Sequence, residues 1–103
     1  MPDKSWKAFE RRIAQRFPNA RRRGPDTTGG KCDLIAPGWA VECKLLGRPS
    51  FSDLLDAARQ AERNAEALQT PVAIVKRKHD EDRNALVVMR LEEFSQWFVG
   101  GIG

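Results

Sequence analysis

CDLIAPGWAVECK, residues 32–44, consists of two short apolar runs joined at Pro37-Gly38, with Asp33 in the first and Glu42 and Lys44 in the second. Pro-Gly between apolar runs is a turn signal, so the stretch reads as a β-hairpin with strands over 32–36 and 39–44. Strand alternation puts Trp39, Val41 and Cys43 on one face and Ala40, Glu42 and Lys44 on the other. A turn centred on Pro37-Gly38 pairs Ile35 with Ala40, Leu34 with Val41 and Asp33 with Glu42. The last pair would bring two carboxylates to within about 5 Å at Cβ.

Two acids that close repel each other unless something positive lies between them. Oxygen ligands of this kind suit Mg²⁺, with Mn²⁺ able to substitute. Lys44 shares the face of Glu42, where it can orient or deprotonate a water or stabilise negative charge at phosphorus. The triplet is therefore expected to perform metal-assisted phosphodiester hydrolysis. The structural alternative is that Lys44 only neutralises an edge pair of acids.

Upstream, residues 4–17 carry Trp6, Phe9, Ile13 and Phe17 at helical spacing, stopped by Pro18-Asn19. At about 100° per residue, Glu10 falls inside this apolar stripe and points toward the sheet, where a charge needs a partner or a metal. A short strand is expected around residues 20–22. The segment RRRGPDTTGGK that follows combines loop-forming Gly and Pro with Arg21, Arg22, Arg23, Thr27, Thr28 and Lys31. These side chains can hold phosphates, which makes the loop a candidate DNA contact.

Downstream, Ser50 or Ser52 can cap a helix running to about Gln69, with Phe51, Leu54, Leu55, Ala58, Ala61, Ala65 and Leu68 as its stripe. PVAIVKRK (71–78) reads as an interior strand, ALVVMR (85–90) as a further strand, and LEEFSQWF as a closing helix. The order is α-β-β-β-α-β-β-α, in one domain spanning 1–103, with a mixed, helix-covered sheet.

Composition narrows the function classes. Lys and Arg outnumber Asp and Glu by 18 to 14, and the clusters at 21–23 and 76–78 favour a polyanionic partner, most simply nucleic acid. One histidine leaves little for a His-based triad, and Cys32 and Cys43 lack zinc spacing and read as reduced thiols. No run approaches the about 20 apolar residues of a membrane span. MPDKSWKAFERR lacks the apolar region of a signal peptide, so a cytoplasmic protein is expected.

Together these residues resemble the PD-(D/E)xK nuclease superfamily, whose core order is α-β-β-β-α-β. The resemblance implies an α/β, restriction-endonuclease-like fold with an extra C-terminal strand and helix. Residue by residue, it implies that Glu10 is the helix acid, Asp33 the first metal ligand, Glu42 the second and Lys44 the catalytic lysine. The Cys43 backbone carbonyl would be a further ligand, and Glu10 would act directly or through water. Small size and the basic, glycine-bearing run before Asp33 resemble archaeal-type or phage Holliday-junction resolvases. Stand-alone VRR-NUC domains are similar in length and pattern. Such proteins cut branched DNA with Mg²⁺ as homodimers, and Trp97 and Phe98 are candidates for an interface or for core. Cys32 stands where a proline often precedes the Asp, and threonines stand where the loop often carries serine. Gln60 lies nearly opposite its helix's apolar stripe, so the glutamine role found in many relatives is not carried over.

The expected function is thus a Mg²⁺-dependent, structure-selective DNA endonuclease, most simply a Holliday-junction resolvase. The rivals are a nickase, flap or restriction-type nuclease acting on other double-stranded DNA, and a non-catalytic nucleic-acid-binding module.

Overall fold

A computed structural model of the chain describes residues 5–23 and 32–100. Its elements are α1 (Ser5–Ala14), β1 (Arg21–Arg22), β2 (Leu34–Ile35), β3 (Trp39–Leu46), α2 (Phe51–Asn64), β4 (Thr70–Arg77), a 3₁₀ turn (Asp82–Asn84), β5 (Leu86–Val88) and α3 (Leu91–Phe98). The chain is a mixed α/β protein, in the expected order of elements. β1 and β2 form a small antiparallel ribbon, while β3-β4-β5 form a mixed sheet with β3 and β4 parallel and β5 antiparallel. The loop that holds Thr27, Thr28 and Lys31 lies outside the described residues.

The sheet is organised by β4. Thr70 through Lys76 are all buried, so this strand has packing on both faces, as its unbroken apolar run requires. On one face, Phe9, Ile13 and Ala14 of α1 pack against Leu34, Val41, Val72 and Ile74. On the other, Ala57 of α2 packs against Ala73 and Val75. Strand alternation thus divides β3 between two helices, with Val41 and Cys43 toward α1 and Glu42 and Lys44 toward α2.

One buried cation enters the α1 side of this packing. Lys76 of β4 has its ammonium 5.1 Å from the Phe9 ring centre. Its Nζ donates to the Asp80 carbonyl at 2.7 Å and to Asp82 Oδ1 at 2.9 Å, and Arg12 Nε donates to the same carboxylate at 2.6 Å. Two cations hold the Asp82 carboxyl down at about 2, the Arg12 hydrogen bond being the larger cause.

α2 begins at a capping box in which the Ser50 hydroxyl accepts from the Asp53 N–H and the Asp53 carboxylate accepts from the Ser50 N–H. It ends at Asn64, about five residues before the expected end near Gln69. Ala65 is extended and Leu68 takes φ 66°, because the chain must turn back for Thr70 to pair with Trp39. Phe51 and Leu68, expected in the stripe, are 80% and 86% exposed. The buried stripe is Ala57, Ala58 and Ala61, small residues that let the helix lie close to the sheet.

The hairpin turns where expected. Gly38 has φ 84°, the positive value that a Pro-Gly turn needs at its third position. Ala36 bridges Trp39, and the Gly38 carbonyl accepts from the Thr70 N–H at 2.9 Å, which ties the turn to the start of β4. Beyond this bridge the expected ladder slips by one residue: the Asp33 N–H donates to the Val41 carbonyl at 3.2 Å. Asp33 and Glu42 are therefore not a directly opposed pair, and Asp33 becomes a fork between two partners, with its N–H and side chain bonded to β3 and its carbonyl to the Arg23 N–H.

Candidate active site

The fork is filled by carboxylates. Asp33 sits at its mouth, with Oδ2 accepting from the Cys43 N–H at 2.8 Å. Here a side-chain oxygen serves the β3 backbone where a regular ladder would offer a carbonyl, and the bond aims the carboxylate back at β3. The residue's own strand is braced by Arg23, whose N–H donates to the Asp33 carbonyl at 3.0 Å and whose Nε donates to the Cys32 carbonyl at 2.6 Å.

Glu42 projects from β3 toward α2 and is 1% exposed. Its Oε1 accepts from Asn64 Nδ2 at 2.8 Å. Burial pushes the Glu42 carboxyl up to about 7; the Asn64 bond works against this, and Asp33 raises it further by its charge and as a partner for the protonated form. Lys44 follows on the same face, half-buried, and its charge favours the ionised form of Glu42. Among the described residues Lys44 forms no direct ion pair with either acid, so it acts on Glu42 through its charge and not through a salt bridge.

Glu10 is buried, as its place in the α1 stripe requires, but it arrives on the other face of β3. Its Oε1 accepts from Arg22 Nε at 2.7 Å, and the Arg22 guanidinium also lies 5.6 Å from the Trp6 ring centre. Burial raises the Glu10 carboxyl, the charge of Asp33 adds to the rise, and Arg22 opposes it. The charge of Asp33 therefore acts on both other acids, one on each side of the strand. Cys43 registers all three: burial drives its thiol upward, followed by the charges of Asp33, Glu10 and Glu42.

Among the described residues, no three His, Cys, Asp or Glu side chains close into one group able to hold a metal ion. The physical reason is visible in the pairing: Arg22 retains the Glu10 carboxylate on the α1 face, leaving Asp33 and Glu42 as the converging pair. Their donor chemistry fits a hard divalent cation, since both offer carboxylate oxygens and neither takes part in an ion pair among the described residues.

Of the three arginines expected to grip phosphate, Arg22 and Arg23 have their Nε atoms committed to Glu10 and to the Cys32 carbonyl. Arg21 is exposed. Asn64 is the residue at this site that sequence reasoning missed, because a helix expected to run on to about Gln69 left it in the interior, off the apolar stripe. Its carbonyl also accepts from Cys32 Sγ at 3.5 Å, so one residue ties α2 to both arms of the fork. Gln60, half-buried, lies one helical turn before it. Both cysteines are free. Among the described residues, no helix is long and apolar enough to cross a membrane. Comparison of the chain with protein-family models, with curated proteins and with solved structures gave no match.

Proposed function

We propose that the chain is a Mg²⁺-dependent, structure-selective DNA endonuclease of restriction-endonuclease-like fold, acting on branched DNA. The observation that carries this reading is the placement of Glu42. A carboxylate that is 1% exposed, beside a second carboxylate and without an ion-pair partner among the described residues, is costly unless a metal completes it. Asp33, Glu42 and the Cys43 carbonyl would hold the ion, with Glu10 acting through water from the far side of β3. Bound there, Mg²⁺ supplies Lewis acidity at the scissile phosphate and balances the paired acids.

The remaining chemistry belongs to the chain. The Cys43 N–H fixes the rotamer of Asp33, and the Asn64 amide fixes that of Glu42, so both donors are preorganised. Lys44, in no ion pair among the described residues, orients the attacking water, takes its proton or stabilises charge that develops on the phosphate. The test is a panel of end-labelled four-way, flap, splayed and linear duplexes incubated with Mg²⁺. Paired symmetric cuts on the four-way junction are expected. Cleavage confined to linear duplex would assign a restriction-type enzyme, and binding without cleavage on every substrate would assign a non-catalytic module.

A symmetric junction calls for a two-fold symmetric enzyme, and α3 supplies a surface for it. None of its residues is buried, although Leu91, Phe94 and Phe98 form an apolar stripe that is 77%, 47% and 53% exposed. Trp97, at 37% exposed, lies beside them, so neither Trp97 nor Phe98 is core. Eight residues are too few for a helix to be stable in water by itself, and an antiparallel copy would cover the stripe. The Phe94→Glu, Phe98→Glu double variant is expected to sediment as a monomer where the parent sediments as a dimer. A monomeric parent at micromolar concentration would remove this part of the reading.

A further inference from the structure

On the α2 face of the sheet an open groove of about 840 Å³ runs beside the C-terminal ends of β3 and β4, with Arg48 and Arg77 in its lining. We propose that this groove carries the phosphodiester backbone of duplex DNA away from the point of cleavage, with the two guanidiniums on successive phosphates. The proposal rests on the nuclease reading above and adds to it the track of the substrate.

The groove shares a face with the catalytic groups. Glu42, Lys44 and Leu46 alternate onto the α2 side of β3, and Leu46 packs with the cluster that includes Val75, which itself lines the groove. In the parallel register Lys44 faces Val75 and Leu46 faces Arg77. Arg77 is therefore reached two residues along from Lys44, about 7 Å at strand rise, and Arg48 lies two residues beyond Leu46. A DNA strand presents one phosphate per about 3.4 Å of helix axis, so the step from Lys44 to Arg77 covers about two phosphates.

The lining chemistry agrees. Both guanidiniums are exposed, and among the described residues neither is spent on an ion pair. By contrast, Arg22 and Arg23, which the sequence nominates for phosphate, are occupied in bracing the fork. Leu54, Val75 and Leu86 give the groove an apolar floor suited to deoxyribose faces. The one acid of the lining, Asp80, has its Oδ1 engaged by the Glu81 N–H at 2.7 Å and by Asn84 Nδ2 at 2.9 Å.

The experiment measures binding of a fluorescein-labelled four-way junction by anisotropy, with Ca²⁺ replacing Mg²⁺, across a series of salt concentrations. Removing two phosphate contacts lowers the slope of log K against log salt by about 1.8, which corresponds to roughly 60-fold in affinity at 0.1 M salt. The Arg48→Ala, Arg77→Ala variant is expected to show both changes. The double lysine variant keeps the slope, because the charge survives, and Arg59→Ala, outside the groove on α2, leaves both quantities at the parent value. A double alanine variant that binds with the parent affinity and slope overturns the groove. The nuclease reading is judged separately by whether Asp33→Asn binds the junction yet fails to cut it. A parent protein that neither binds nor cuts any DNA overturns both.

Discussion

Asp33→Asn is expected to lower the proposed Mg²⁺-dependent cleavage by at least about 1000-fold and to leave the melting temperature unchanged or raised. The size follows from the proposed role of Asp33, whose loss would remove a preorganised charge and one metal ligand from a partly buried site. The stability follows from the contacts. The Asp33 side chain accepts a hydrogen bond from the Cys43 N–H, and an amide oxygen can accept the same bond. What disappears is a negative charge that raises the carboxyls of both Glu10 and Glu42. Lys44→Ala should fall by about 100- to 1000-fold for the related reason that one electrostatic donor is removed. It too should fold normally, since no ion pair among the described residues depends on it. Cleavage rates are read on the preferred substrate of the panel, and thermal melts are run beside them. Either variant cutting at the parent rate would reduce the fork to a structural feature.

The parts of this site that could be read from the sequence are those governed by local rules. Pro37-Gly38 sets a turn, alternation sets which β3 residues share a face, and helical spacing puts Glu10 under α1. Each of these survives in the structure. What could not be read depends on contacts between distant segments. The one-residue slip at Asp33 reflects competition between the hairpin ladder and the Arg23–Asp33 pairing of the β1-β2 ribbon, and nothing in residues 32–44 encodes it. The Arg22–Glu10 pair joins residues 12 apart across a turn, so a basic triplet that resembles a phosphate grip serves in part as bracing.

The end of α2 shows the same limit. Ala65, Glu66, Ala67, Leu68 and Gln69 are good helix formers, and propensity alone extends the helix through them. The chain leaves the helix because β4 must begin level with Trp39, and that requirement is set by the sheet. The early stop has a consequence at the fork: it makes Asn64 the terminal residue of the helix, with its amide on Glu42. The α3 stripe is a third case. Its periodicity predicts a helix correctly, but periodicity does not say whether the apolar side meets the same chain or another.

Glu42→Gln is expected to stabilise the metal-free protein at about pH 8 while abolishing cleavage. The ordinary value for a glutamate is 4.5, and burial beside Asp33 moves Glu42 to about 7. Between these two values the unfolded chain has released its proton and the folded chain still holds it. The unfolded state then binds fewer protons, so stability falls as pH rises from about 4.5 to about 7, and the full penalty persists above that. The shift corresponds to about 3 kcal/mol, a large share of the stability of a domain this size. Glutamine carries no charge to desolvate and can still accept from Asn64 Nδ2, so the penalty should vanish. Urea midpoints measured from about pH 4 to about pH 8 should decline for the parent relative to Glu42→Gln and converge at the acidic end. Mg²⁺ should close the same gap from the other side, raising the parent's midpoint at about pH 8 and leaving that of Glu42→Gln in place. Equal midpoints for the two proteins at about pH 8 without metal would mean that Glu42 is ionised at little cost. In that case the demand for a cation at the fork would lose its main physical support.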